Sequence, residues 1–412
     1  MNQNDFQQLS FKLGGIFTPG SPIIDNDLFS GRVPQISQIL NAVSQRGYHA
    51  ILYGERGVGK TSLSKIIEKL IISLEANSKC LRATCDASDD YSSLWKKVFE
   101  TLTTVAVRNG IGFVAEATQS VSSIVNSLPQ EITPHVVKNL LTLVSQSSCS
   151  VVIIDEFDRL KKEARALIAD TIKILSDSGI DSTILLIGVA ESIDDLIEDH
   201  NSVERALIQV PMPRMSNDEI LDLINKGLKL AGMTIDEDAK GQMINLSQGL
   251  PYVAHLLALY SAKNSVSNHR LNITTEDVEE GVEMAINQWQ QSIKSDYYDA
   301  VKSQQPDNIY KQVLLACALA DLDEMSYFTA TSVIKPLKII TGKNYEISGF
   351  ARHLREFTRP ERASIIMRTE ESRKGRYKFV KPIMRPFITI KGFAEKMIDK
   401  EKIKFLNKKI DS

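Results

Sequence analysis

The sequence predicts an α/β protein: a parallel sheet flanked by helices, then an all-helical lid and a C-terminal winged helix-turn-helix. Three observations lead to this prediction. A strand, a glycine loop and a helix follow one another at residues 50–74, an apolar strand ends in Asp155-Glu156, and three helical patterns precede a basic hairpin beyond residue 308. With 412 residues the chain is too long for one compact core, so two or three domains are expected.

Changes in pattern along the chain suggest four boundaries. The predicted segments are an N-terminal tail (1–27), the α/β domain (28–213), the lid (214–305), the winged helix (306–392) and a basic C-terminal helix (393–412).

The glycine loop lies where a phosphate-binding loop should. Ala50–Tyr53 reads as a buried strand, and the apolar residues from Leu63 to Leu74 have helical spacing. Glycines let backbone N–H groups turn inward around phosphates, and the N-terminus of the helix adds a favourable partial charge. The residues expected to bind nucleotide here are Gly54, Glu55, Arg56, Gly57, Val58, Gly59, Lys60, Thr61 and Ser62.

Two residues of this loop have specific roles in such a site. Lys60 is expected to reach the β- and γ-phosphates and to assist catalysis, while Thr61 is expected to hold Mg²⁺. The predicted ligands are therefore ATP and Mg²⁺.

A second motif supplies the remaining catalytic groups. Val151–Ile154 is apolar throughout, as in a central parallel strand, and it ends in Asp155-Glu156. An Asp at the carboxyl end of such a strand can hold the metal, and Glu156 is placed to polarise the attacking water.

Two further polar residues are candidates on weaker patterns. Ser192 follows another apolar strand, where it could sense the γ-phosphate. Arg205 stands just before the short strand Ala206–Val210 and could project into a neighbouring subunit's nucleotide site, although a surface salt bridge is a live alternative.

Charge and composition limit the classes of partner that this protein is expected to bind. Residues 331–412 contain 21 Lys and Arg against 9 Asp and Glu, a net of +12, so the rest of the chain has a net of −14. The basic part is expected to contact something acidic, either nucleic acid or the acidic body of the protein itself. No secretion signal or membrane span is evident, and the four cysteines suggest buried thiols in a cytoplasmic protein.

The C-terminal pattern predicts a DNA-binding module. Three helices precede a hairpin in which Tyr377 and Phe379 alternate with basic residues. Such helices also contact proteins, and that alternative stays open. The candidate DNA-binding residues are Arg352, Arg355 and Arg359 on one face of the third helix, and Arg373, Lys374 and Arg376 on the hairpin.

Taken in order, these motifs resemble the AAA+ and STAND ATPases, nearest to the origin-recognition branch. The resemblance covers about residues 25–290. It implies that Gly31 and Arg32 pack near the adenine and that Pro251, in a Gly-Leu-Pro motif, touches the adenine from the lid. Pure helix capping by Pro251 is an equal alternative. The lid stretch 246–262 lacks the second sensor arginine usual in origin-recognition ATPases, which favours slow turnover.

Two functions follow as hypotheses. The first is a nucleotide switch that oligomerises on ATP binding and controls a protein partner, as in anti-phage or mobile-element systems. The alternative is a DNA-binding ATPase of replication or transposition type, with duplex DNA as the partner of the winged helix.

Overall fold

The computed structural model describes residues 3–20, 31–74, 78–108, 128–146, 149–189, 203–305, 308–323, 326–369, 375–399 and 401–402. The chain divides into two compact units. The sheet unit comprises residues 32–55 and 59–213, and the helical unit comprises residues 1–31, 56–58 and 214–412.

Helix α1 (Gln3–Ile16) begins the chain and belongs to the helical unit. The sheet unit follows with strands β1 (His49–Tyr53), β2 (Lys79–Thr84), β3 (Ser150–Asp155), β4 (Ser182–Gly188) and β5 (Leu207–Pro211). Its helices are α2 (Val33–Val43), α3 (Lys60–Leu74), α4 (Tyr91–Arg108), α5 (Pro134–Val144) and α6 (Lys162–Ser178).

All five strands are parallel, in the order β2-β3-β4-β1-β5. Every residue of β3 and β4 is buried, because helices cover both faces of a parallel sheet and leave no face for water. The parallel sheet predicted from sequence is confirmed. Its order places β4 between β1 and β3, so the carboxyl ends of these three strands lie side by side.

The lid segment of the helical unit contains four helices and a short parallel pair of strands. They are α7 (Asn217–Ala231), β6 (Thr234–Ile235), α8 (Glu237–Ser247), α9 (Pro251–Ser267), β7 (Asn272–Ile273) and α10 (Thr275–Gln288). Ser216 caps α7 through a reciprocal hydrogen-bond pair with Glu219. Thr274 is the N-cap of α10, and its N–H donates to the Asp277 carboxylate at 2.9 Å.

The C-terminal elements begin after α11 (Gln291–Val301). They are α12 (Tyr310–Ala318), β8 (Phe328–Thr329), α13 (Ala330–Thr341), α14 (Ile347–Phe357), β9 (Ile366–Thr369), β10 (Arg376–Phe379) and α15 (Met384–Ala394). Strands β9 and β10 form the predicted antiparallel hairpin, and β8 pairs with β10 to complete a three-stranded sheet. Tyr377 and Phe379 face the core, as their alternation predicts.

Two predictions about this region need correction. Helix α14 ends at Phe357, so Arg359 does not share its face; the residue before Pro360 is extended because the proline ring excludes the helical conformation there. Helix α15 at Met384–Ala394 was not predicted. Its Pro386 lies in the first turn, where a missing N–H costs no hydrogen bond.

Part of the predicted C-terminal helix (393–412) lies outside the described residues, which end at 402. Throughout the part of the chain that is described, no helix has the length and apolarity to cross a bilayer. All four cysteines lie in the described residues, where each is a buried thiol outside any disulfide, as expected.

Helix α1 packs into the helical unit through its apolar side. Leu13 and Phe17 are fully buried, and the Phe17 ring meets that of His255 at a centroid distance of 6.0 Å. Burial lowers the pKa of His255 to about 4, so this ring stays neutral at physiological pH. Gly227 on α7 leaves room for Phe17: an added Cβ would lie 2.3 Å from the ring.

We expect Gly227→Ala to destabilise the protein, because the new methyl group must displace a fully buried ring. Overpacking of this kind costs about 1–3 kcal/mol, which exceeds the gain of up to about 1 kcal/mol from alanine in a helix. The apparent Tm, followed by circular dichroism, should fall by several degrees.

Gly241→Ala on α8 is the matched control, since nothing lies within 4 Å of its added Cβ. Its Tm should stay the same or rise. Equal Tm values for the two variants would contradict the packing of α1 against Gly227.

Candidate functional site

The loop between β1 and α3 has a backbone that only glycines adopt readily. Gly57 and Gly59 have φ angles of +90° and +97°. At Gly54 the limit is space, since an added Cβ would lie 2.3 Å from the carbonyl oxygen of Met212 at the end of β5. Helix α3 then begins at Lys60, so its first N–H groups are at the loop, as phosphate binding requires.

Lys60 folds back over this loop. Its Nζ donates to the carbonyl oxygens of Gly54 and Glu55 at 2.8 and 3.0 Å. The ammonium is thereby placed beside the loop backbone, within reach of any phosphate that the loop holds. Its contact with the β- and γ-phosphates stays a prediction.

Asp155 occupies the carboxyl end of β3 and is almost fully buried. Its Oδ1 accepts the N–H of Glu156 at 2.9 Å, and its Oδ2 lies 3.6 Å from Nη1 of Arg82. The second distance is longer than a hydrogen bond, so this oxygen keeps acceptor capacity.

The donor set at this edge suits a hard cation. The Thr61 hydroxyl and the Asp155 carboxylate are oxygen donors of the kind that Mg²⁺ prefers, and Mg²⁺ sites often hold only one or two protein groups beside phosphate and water. Within the described ranges, no cluster of three or more His, Cys, Asp or Glu residues could hold a metal.

Glu156 has a strained backbone. Its φ of 54° and ψ of 39° are left-handed, which is uncommon for a residue other than glycine and occurs often at functional sites. Its half-exposed carboxylate accepts a hydrogen bond from Arg159 at 2.8 Å. That bond raises the pKa of Arg159. The chain turns so sharply that Asp155 points inward and Glu156 reaches solvent.

Arg205 is exposed and lies at the amino ends of the strands, whereas the loop lies at their carboxyl ends. It precedes β5, whose first residue pairs with His49 at the start of β1, whereas the loop follows the end of β1. A strand of five residues spans about 16 Å. Arg205 is therefore too far from Gly54 and Lys60 of its own chain to act there.

The remaining nucleotide candidates are placed less completely. Ser192 lies outside the described residues. Gly31 and Arg32 both have left-handed backbones, and Arg32 is the N-cap of α2. Pro251 is the first residue of α9, directly after the N-cap Leu250, and its contact with the adenine stays a prediction.

The basic C-terminal candidates differ in their surroundings. Arg352 and Arg355 are exposed on α14, and Arg352 pairs with Glu356 at 2.7 Å. Glu356 also accepts the Tyr310 hydroxyl, and these two bonds hold its pKa below the ordinary value. Arg376 is bound to Asp323, and its guanidinium lies over the Tyr327 ring. Arg373 and Lys374 lie outside the described residues.

Sequence reasoning missed Arg82. This residue lies on β2 between buried Leu81 and Ala83, and its guanidinium faces both α3 and Asp155. A charged residue in the middle of a buried strand is the signal that could have identified it, because such a charge needs partners.

With this geometry established, comparison with known proteins assigns the segment that carries the site. Residues 43–197 match the family model described as the AAA domain. This segment is an AAA domain. It contains the phosphate loop, β3 with Asp155 and Glu156, and all of β4.

The similarity to known proteins extends beyond that segment. ORC1-type DNA replication protein 2 of Thermoplasma acidophilum is 24% identical over 335 residues, which cover 78% of this chain and 73% of that protein. The Walker-type ATPase of Pyrococcus abyssi has the same fold, with a TM-score of 0.50, 14% identity and coverage of 90% and 99%. The Aeropyrum pernix ORC2 protein, solved as ADPNP-ADP complexes, has a TM-score of 0.49, 15% identity and coverage of 94% and 98%.

The predicted resemblance to origin-recognition AAA ATPases is thus confirmed. Of the two functional hypotheses, the comparisons favour the replication-type alternative over the anti-phage switch.

We expect Gly54→Ala to weaken nucleotide binding about tenfold or more, a loss of at least about 1.4 kcal/mol. The added methyl group would overlap the Met212 carbonyl and push the loop out of position. Titration with a fluorescent ATP analogue measures the loss.

Gly179→Ala is the control, since this glycine also has a positive φ but no atom lies within 4 Å of its added Cβ. Unchanged affinity in Gly54→Ala would show that the loop tolerates displacement.

Proposed function

We propose that this protein is a Mg²⁺-dependent ATPase of the origin-recognition type that binds duplex DNA through a C-terminal winged helix. The observation that carries the proposal is the placement of the Lys60 loop and Asp155 at the same edge of the AAA sheet, on strands separated only by β4. The similarity to a DNA replication protein over most of the chain supports the DNA part.

The nucleotide chemistry follows from the residues at this edge. The loop residues from Gly54 to Ser62 hold the phosphates, with Lys60 beside the β- and γ-groups, while Thr61 and Asp155 hold the metal. The ion, when bound, neutralises charge on the phosphates. Glu156 accepts a proton from water as its oxygen attacks the γ-phosphorus and the bond to ADP breaks.

The other nucleotide candidates are proposed contacts. Gly31, Arg32 and Pro251 contact the adenine, and Ser192 senses the γ-phosphate. The lid stretch 246–262 contains no arginine, which supports slow hydrolysis and a chain that spends much of its cycle with nucleotide bound.

Arg205 supports an oligomer. Because it lies across the sheet from its own loop, it can stabilise charge only at the site of another copy. ATP, bound where two copies meet, would then favour assembly.

The C-terminal elements support DNA binding. Three helices (α12, α13 and α14) precede the β9–β10 hairpin, which is the element order of a winged helix-turn-helix. Exposed Arg352 and Arg355 lie three residues apart on α14, the proposed major-groove helix. Arg359 follows it, and Arg373 and Lys374, which come between β9 and β10 in the sequence, are proposed DNA contacts of the wing. Arg352 and Arg376 are already paired with Glu356 and Asp323, so each would have to exchange a carboxylate for a phosphate to bind DNA.

Glu156→Gln should reduce ATP hydrolysis by about a hundredfold or more, because general-base catalysis of this kind contributes about 10²–10⁴. Nucleotide affinity should stay unchanged. Duplex DNA should raise the wild-type rate several-fold, measured by steady-state phosphate release.

Glu163→Gln, which changes another acidic residue of the sheet unit outside the site, is the control. Normal hydrolysis by Glu156→Gln would contradict its proposed role. If the wild-type rate of ATP hydrolysis is the same with and without duplex DNA, the nucleotide site is not coupled to DNA, and a protein partner becomes the better candidate.

Replacing Arg352 and Arg355 together by Ala should weaken duplex binding about tenfold. The slope of log affinity against log salt should become shallower by about 0.9 for each phosphate that the protein no longer neutralises. Fluorescence anisotropy with a labelled duplex at several salt concentrations measures both quantities.

The control removes two lysines with the same spacing from the lid, Lys226→Ala with Lys229→Ala. If both double variants bind DNA equally well, α14 is not the DNA-contacting helix.

A further inference from the structure

Arg82 occupies an unusual place for a charged residue. It lies in the middle of β2, opposite Ile153 of β3, and its side chain is only one-fifth exposed. Removing a guanidinium from water is costly unless several partners replace the water. The partners of Arg82 therefore indicate why a cation stands at this position.

The guanidinium contacts three side chains of the sheet unit. Its Nε donates to Glu68 at 3.0 Å, its Nη2 donates to the Ser64 hydroxyl at 3.1 Å, and its Nη1 lies 3.6 Å from Asp155. Glu68 and Ser64 belong to α3, whereas Asp155 ends β3. A planar fork of five donors holds partners from two elements in a fixed geometry, which the compact ammonium of lysine matches less well.

Ser64 extends the connection to the phosphate loop. Its hydroxyl donates to the carbonyl oxygen of Thr61 at 2.9 Å while it accepts from Arg82. One guanidinium thus connects Thr61, through a single hydroxyl, to Asp155. These are the two residues proposed to hold Mg²⁺, and they come from opposite sides of β4.

The charges around Arg82 suit this arrangement. Glu68 balances the guanidinium, so the cation near the metal site does not act as an uncompensated positive charge. The 3.6 Å approach to Asp155 attracts the carboxylate without saturating Oδ2, which stays available as an acceptor.

We propose that Arg82 is a positioning residue that sets the separation of Thr61 and Asp155 and thereby the affinity of the nucleotide site for Mg²⁺. The inference rests on the proposed function, since it concerns the same site. Groups that orient metal ligands from behind typically change metal affinity by about 10–100-fold when removed.

The test separates metal-dependent from metal-independent nucleotide binding. Affinity for a fluorescent ATP analogue is measured in saturating Mg²⁺ and in EDTA. The affinity in Mg²⁺ divided by the affinity in EDTA gives the contribution of the ion to binding. Arg82→Met should reduce this ratio about tenfold while the affinity in EDTA stays within about twofold of wild type. Arg82→Lys, which keeps the charge without the fork, should recover only part of the loss.

Lys79→Met is the matched control, because it removes a cation from the same strand. Lys79 is the first residue of β2, and its Nζ donates to the carbonyl oxygen of Val144. Its loss should leave the ratio unchanged. Ser64→Ala breaks the connection to Thr61 with little change in volume and should lower the ratio. This variant and Arg82→Lys decide the question if Arg82→Met does not fold.

Three outcomes would overturn the inference: an unchanged ratio in the Arg82 and Ser64 variants, an equal loss of affinity with and without Mg²⁺, or full recovery by lysine. The second outcome would mean that Arg82 merely supports the fold. If the wild type itself shows no gain from Mg²⁺, the proposed nucleotide site fails instead, so the two failures are distinguishable.

Discussion

The parallel pairing of β1, β4 and β3 determines where chemistry can occur in the sheet unit. The carboxyl ends of parallel strands lie at the same end of the sheet. The loop after β1 and the carboxylate at the end of β3 are therefore close together, with only β4 between their strands. The same constraint explains the apolar character of these strands, since helices on both faces leave only the ends available to polar groups. Gly54 shows how closely the edge is packed, because the end of β5 leaves no room there for a side chain.

Features with local causes were predictable from sequence. The glycine loop, the strands that end in Tyr53 and Asp155, and the hairpin with buried Tyr377 and Phe379 follow from periodicity and turn chemistry within a few residues. The capping pair of Ser216 and Glu219 is equally local. Each of these signals lies within one element or its immediate neighbours.

Features with distant causes were not predictable. Arg376 resembles a free basic residue of a wing until Asp323, fifty-three positions earlier, is found beside it. Arg82 gains its meaning only from Ser64, Glu68 and Asp155, which come from two other elements. Helix α15 is held by rings of other helices: Phe387 meets Trp289 and Tyr297 at 5.2 and 5.6 Å. A single amino-acid sequence contains no direct information about contacts between residues so far apart in the chain.

The position of Arg205 has a consequence for the number of nucleotide sites that receive an arginine in an assembly. Because Arg205 lies at the end of the strands opposite to its own loop, each contact that uses it joins one end of a copy to the loop end of another, either reciprocally in a two-fold pair or head-to-tail. A closed ring then supplies an arginine to every loop, whereas an open filament always leaves one terminal loop without a donor. If Arg205 acts in this way, the proportion of nucleotide sites that turn over reports whether the assembly is closed, and the terminal site of an open one is a natural place to add or remove a subunit.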